Sequence, residues 1–220
     1  MSINTFYNIY SIHPASNATS LVEIETIILN GLYRFSILGV NQKNSSDIKD
    51  RVYSALRAQK LINLKSDNRK ITVSLLPAEV EKKGNVYDLA IALSCLLHMD
   101  QIKIHEHILV IGELSIRGNI LPSNMILKAI YQAIHNGIQT ILCSLHDIET
   151  IDTHQNNMRN LLTQHKIKFI VAETLSDMMQ NIKDKNYYVF KNAEPEMMHG
   201  TGYENIHITD KNIFKIILAI

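Results

Sequence analysis

Alternating apolar and polar residues dominate the first third of the chain. Residues 5–12 (TFYNIYSI) predict a short strand, followed by a turn at Pro14, Ser16 and Asn17. Residues 21–29 (LVEIETIIL) start in alternation and end apolar, as a long strand with one covered face would. Asn30-Gly31 is a strong hairpin turn signal, and residues 32–40 (LYRFSILGV) alternate again, so 21–40 is expected to fold back as a β-hairpin. The period then changes. From Asp47 to Gln59, Ile48, Val52, Ala55 and Leu56 fall at helical spacing behind Ser45-Ser46-Asp47, which can cap a helix. Residues 70–76 (KITVSLL) return to a strand that Pro77 stops. After the polar loop EKKGN, Asp88 is placed to cap a helix from Leu89 to about His98. That helix is apolar almost all round and should be central.

The second half reads as strand–helix units. Residues 107–118 (HILVIGELSIRG) predict strand, tight bend, strand. Pro122 and Ser123 lead into a helix at about 124–136, with Asn136-Gly137 as a left-handed stop. Residues 138–143 (IQTILC) suit an interior strand, and the polar stretch HDIETIDTHQNNM leads to another helix. A strand at 166–172 (KIKFIVA) and a helix from Ser176 to Ile182 follow. Early hairpins and late strand–helix units predict one α/β (α+β) sandwich over residues 1–185. Residues 186–204, with Pro195, Gly200 and Gly202, read as a linker, and 205–220 as an apolar tail.

Composition narrows the function. Apolar residues make up 46% of the 220 and charged residues 20%, so a packed core is expected, while a formal net charge of +1 gives no global basic field for nucleic acid. Cys95 and Cys143 both lie in apolar runs and read as small buried hydrophobes. His98, His105 and His107 match no metal spacing, so neither a metal nor a cofactor is expected. The chain starts without a signal-peptide pattern and holds no apolar run of membrane length. The expected compartment is the cytoplasm, with no membrane partner.

Three ordered passages carry a resemblance. NGLYRFSILGV followed by DIKDRVYSAL, RKITVSLLPAEVEKKGNVYDLAIAL (69–93), and IGELSIRGNILPSNMILKAIYQAIHNGIQTIL (111–142) resemble the N-terminal Lon-protease-like module of the ComM/YifB group of Mg-chelatase-like AAA+ proteins. The resemblance covers residues 1–185 and implies a fold like that of the Lon proteolytic domain and of ribosomal protein S5 domain 2. Lon uses a serine nucleophile just before the buried helix and a lysine base after the glycine-containing turn. A serine hydroxyl needs such a base, and a lysine serves only when desolvation lowers its pKa. Matched residue by residue, the serine position falls on Asp88 and the lysine position on Leu127. Neither residue can do that chemistry, and Lys128 is turned about 100° away along a helix. The resemblance therefore implies a degenerate dyad and no catalytic residue.

At Asp88 an N-cap is the simpler role, ahead of ligand binding, and Glu113 reads as a surface or salt-bridging carboxylate. Lys82 and Lys83, beside Gly84, and Arg69 and Lys70, before a strand, read first as solubilising charge. With Arg117 in an Arg-Gly-Asn turn and with Lys128, Lys82 and Lys83 are also the candidate contacts to DNA or a partner. In the RadA/Sms relatives a similar non-proteolytic domain is associated with DNA binding and ring assembly.

Full-length members continue into an AAA+ ATPase, which needs G-x-x-x-x-G-K-[ST]. No Gly-Lys pair occurs in this chain, and Asn205–Ile220 resembles a degraded start of that ATPase, expected to be poorly ordered. The reading that follows is a truncated or split, non-enzymatic module. By resemblance it is associated with DNA branch migration, recombination and natural transformation, and it would partner a separate AAA+ segment, DNA, or copies of itself in a ring. The alternative is a divergent Lon-like serine hydrolase with its nucleophile moved to Ser94 or Ser123.

Overall fold

The computed structural model describes residues 8–14, 19–62, 64, 68–77, 85–151, 156–190 and 195–198. Alternating residues fold into the strands β1 (Ile9–Pro14), β2 (Thr19–Asn30), β3 (Arg34–Leu38) and β4 (Arg69–Leu76). Short apolar runs supply β5 (Ile108–Val110), β8 (Thr140–Ser144) and β9 (Lys168–Ala172). With β10 (Tyr187–Phe190) and β11 (Pro195–Met198) they form one mixed sheet in the order β11-β10-β9-β8-β5-β1-β2-β4-β3. A separate antiparallel pair, β6 (Glu113–Leu114) and β7 (Ile120–Leu121), projects beyond β5. Six helices are seen among the described residues: α1 (Gln42–Ala58), α2 (Asp88–His98), α3 (Ile126–His135), α4 (Leu145–Glu149), α5 (Asn156–Gln164) and α6 (Leu175–Asp184). The molecule is an α/β fold, as expected.

The hairpin expected over 21–40 does not form. β4 lies between its two arms, antiparallel to β2 (Ile28 opposite Ile71) and parallel to β3 (Phe35 opposite Ile71). Local turn propensity lost to burial. Ile71, Val73 and Leu75 are fully buried, and their strand takes the interior place, while Ile24, Phe35 and Ile37 flank it on the same covered face. Gly31 sits at φ +154° and donates its N–H to the Asn68 carbonyl at 2.7 Å, so the chain crosses the end of β4 instead of turning back along β2.

Helix starts also differ from expectation. α1 begins before Ser45-Ser46-Asp47, because the Asn41 side chain accepts the Asn44 N–H at 2.9 Å. Ser45 is buried inside the helix and donates to the Ile37 carbonyl. Ile48, Val52, Ala55 and Leu56 bury the expected stripe. α2 is buried from Asp88 to Leu96 and lies on β2 and β1, as its all-round apolarity demanded. α3 ends at His135 with Asn136 as its C-cap, and Gly137, at a φ of +68°, provides the expected stop.

The polar stretch after β8 holds a helix of its own. Ser144 and Asp147 close a capping box that starts α4. Residues 186–204 were expected as a linker, yet 187–190 pair antiparallel with β9 and 195–198 with β10. Phe190 buries its ring against Phe169 and Tyr188 buries its ring against Phe190, and that burial outweighs the linker-like composition. Residues 205–220 lie outside the described residues. No helix among the described residues is long and apolar enough to cross a membrane.

Candidate functional site

Asp88 opens α2 but does not cap it. Tyr87 holds the N-cap position without a side-chain bond, and Asp88 is the first helical residue, with its carboxylate turned inward and fully buried. A bare carboxylate cannot stay there cheaply, so its partners define the site. Arg51 of α1 reaches it with two bonds, Nε to Oδ2 at 2.6 Å and Nη2 to Oδ1 at 3.1 Å. The Leu114 N–H adds a third, at 3.3 Å to Oδ2. Arg51 Nη2 also donates to Asn85 Oδ1 at 2.8 Å, and Asn85 Nδ2 donates to Glu113 Oε1 at 2.9 Å. Glu113 is thus half-buried at the end of a chain of bonds, not a free surface carboxylate.

The backbone holds this cluster closely. Gly112 donates its N–H to the Val86 carbonyl, and Leu89 donates to the Gly112 carbonyl, both at 3.1 Å. A Cβ at Gly112 would stand 3.1 Å from Ile120 and 3.3 Å from Leu89, at a φ of +152° that other residues rarely adopt. The bend after β5 thereby brings Glu113 and Leu114 against the start of α2. Burial pushes the Asp88 carboxyl up to about 6, against the opposing pull of Arg51 and the Leu114 N–H. At pH 7 the pair is ionised, and both carboxylate oxygens are engaged.

The other expected positions are dispersed. Leu127 is half-buried on α3 and packs against the core, while its neighbour Lys128 is exposed. Arg117 is exposed in the turn between β6 and β7, where its carbonyl accepts from Gln59 Nε2 at 2.7 Å. Lys82 and Lys83 lie outside the described residues. Arg69 and Lys70 are the first residues of β4 and do not precede it. Ser94 is buried in α2, with its hydroxyl 2.6 Å from that of Thr26. Ser123 is half-buried. It donates its backbone N–H and its hydroxyl to Asp147 Oδ1, at 3.0 and 3.3 Å, and its hydroxyl accepts the Met125 N–H. Met125 holds the N-cap position of α3.

Cys95 and Cys143 are buried free thiols. Burial pushes Cys95 up to about 12 and raises Cys143. His98 bonds to the Ser94 carbonyl at 2.9 Å, and among the described residues no three His, Cys, Asp or Glu side chains gather as a metal site would need.

Sequence reasoning missed Arg51, Asn85 and Asp147. For Arg51 a signal existed: it stands three residues after Ile48 and four before Ala55, inside the apolar stripe of α1, where a charge requires a buried partner. For Asp147 the Ser144-x-x-Asp147 spacing is a capping-box signal, whereas Asn85, in a polar stretch, carried none.

Comparison with known proteins places this arrangement. Competence protein ComM of Haemophilus influenzae is 28% identical over 196 residues, which are 86% of this chain and 35% of that protein. YifB of Escherichia coli is 30% identical over 133 residues, 58% of this chain and 25% of its own length. A Mycobacterium bovis protein is 32% identical over 120 residues, 53% of this chain and 23% of its own. The chain thus spans about a third or less of the length of these curated relatives. The family model described as subunit ChlI of Mg-chelatase matches residues 24–147, more than half of the chain and including Arg51, Asp88, Glu113 and Leu127. The chain belongs to this Mg-chelatase ChlI-like family, with ComM and YifB among its relatives.

Proposed function

We propose that this chain is a non-proteolytic Lon-type module of a ComM/YifB-type protein, serving assembly or DNA contact and not peptide cleavage. The observation that carries the reading is the Asp88–Arg51 pair. The position that the resemblance assigns to a nucleophilic serine holds a buried carboxylate with both oxygens engaged by a guanidinium. Leu127, at the position assigned to the base, has a hydrocarbon side chain against the core. Ser94 and Ser123, the alternative nucleophiles, bond to Thr26 and to the carboxylate of Asp147, and neither is paired with a lysine in those bonds. The name of the Haemophilus relative supports a role in competence, and with it the DNA recombination and branch migration that the family resemblance implies. The cytoplasm would be the compartment.

The test is a fluorophosphonate probe on the whole chain, run beside anisotropy with branched DNA. No serine labelling, together with DNA binding that weakens in Arg117→Ala and Lys128→Ala, is the expected result. Labelling at Ser94 or Ser123 overturns the reading in favour of a hydrolase.

A further inference from the structure

Beside the covered face of β2, β4 and β3 lies an open one. Alternation places Glu23, Glu25, Ile27 and Leu29 of β2, Lys70, Thr72 and Ser74 of β4, and Arg34, Ser36 and Leu38 of β3 on the side away from α1 and α2. Ile27, Leu29 and Leu38 are 56%, 52% and 52% exposed. Ile27 and Leu29 are neighbours on β2 and Leu38 lies across β4 on β3, and exposed apolar side chains of that size on one sheet face call for a covering surface.

The charges on this face are sorted. Register puts Glu25, Ser74 and Leu38 in one row, Ile27, Thr72 and Ser36 in the next, and Leu29, Lys70 and Arg34 in the third. The face is therefore acidic at one end and basic at the other, with Ile27 and the hydroxyls of Thr72 and Ser36 between them, Leu38 in the acidic row and Leu29 in the basic one. A surface with that order is complementary to itself when turned end for end. A two-fold axis running across the strands through the middle row stacks Ile27 on Ile27 of the second copy. It also brings Glu25 over Leu29 and beside Lys70 of the second copy, with the same contact repeated on the other side. An axis along the strands would instead set like charges together. The mixed charge does not suit a nucleic acid, which needs one sign.

We propose that a second copy of this chain docks on this face, sheet against sheet, as a closed two-fold pair. Three strands at about 4.8 Å spacing and eight residues at about 3.4 Å each cover on the order of 400 Å², against ~800 Å² per partner in a standard interface. A contact of that size falls at the weak, transient end of protein interfaces, so association is to be followed at concentrations on the order of 10–100 µM. This rests on the register and exposure of the three strands and not on the family reading, so either can fail without the other.

Sedimentation equilibrium of the whole chain across that concentration range tests it. Wild type is expected to pass from monomer to dimer, and Ile27→Lys to remain monomeric. Glu25→Lys and Lys70→Glu are each expected to weaken the dimer at least about tenfold, and the two together to restore it, since the swap re-forms the complementary contact. All three positions are solvent-facing, and unchanged thermal melting would show that each variant folds. Wild type that stays monomeric overturns the proposal, as does a dimer indifferent to the charge reversals, or DNA binding that Ile27→Lys abolishes.

Discussion

Two aspartates are fully buried among the described residues, and they are kept there by different means. Asp88, at the start of α2, faces a guanidinium from another helix. Asp147, at the start of α4, faces no cation in its hydrogen bonds: it accepts the Ser123 N–H at 3.0 Å, the Ser123 hydroxyl at 3.3 Å and the Ser144 N–H at 3.3 Å. Burial raises both carboxyls, Arg51 pulls hardest against it at Asp88, and backbone N–H groups do so at Asp147. One carboxylate is held by a counter-charge from 37 residues away, the other by dipoles. The ion pair fastens α1, α2 and the bend before β6 into one unit. The dipole cluster fastens the loop before α3 to α4. The first is thus the costlier to break, because removing either partner strands a charge.

The largest effect should come from Arg51→Ala, which leaves Asp88 alone in the core. It is expected to cost about 3–5 kcal/mol in denaturant unfolding. Arg51→Met combined with Asp88→Leu should recover most of that, since an apolar pair leaves no stranded charge. If the double variant is as unstable as Arg51→Ala, the pair is not the organising contact.

The next effect is on pH dependence. A carboxyl raised in the folded state to about 6 binds more protons there than when unfolded. Its contribution is therefore complete below about pH 4 and is lost as pH rises through 6. Unfolding of wild type and Asp88→Asn across that window should show wild type gaining on the variant as pH falls from 6 to 4. A constant difference would mean that Arg51 holds the carboxyl at its ordinary value.

Asp147→Ala should follow, costing about 1–3 kcal/mol by leaving the Ser123 and Ser144 N–H groups without their acceptor. Ser144→Ala should be smallest, about 1 kcal/mol for a lost cap. Equal losses for Arg51→Ala and Ser144→Ala would erase the distinction between the two sites.

Much of the fold was legible because its signals were periodic. The stripe of Ile48, Val52, Ala55 and Leu56 and the all-apolar run of α2 each required burial, whatever surrounded them. The hairpin at Asn30-Gly31 was misread because a turn signal states only that the chain can bend. Whether β2 then pairs with β3 or admits β4 depends on Ile71, Val73 and Leu75, nearly forty residues on. The linker-like residues 187–190 became a strand because Phe169 offered them an apolar surface, which composition cannot register.

The amino-acid sequence by itself determined which residues are apolar on which period, that the class is α/β, and that an acid and a hydrocarbon stand at Asp88 and Leu127. Only tertiary structure decided that Asp88 meets Arg51, that β4 separates β2 from β3, and that one face of these strands is left open. Periodicity acts within a few residues, whereas pairing of distant strands and neutralisation of a buried charge are settled by whatever the whole chain brings alongside.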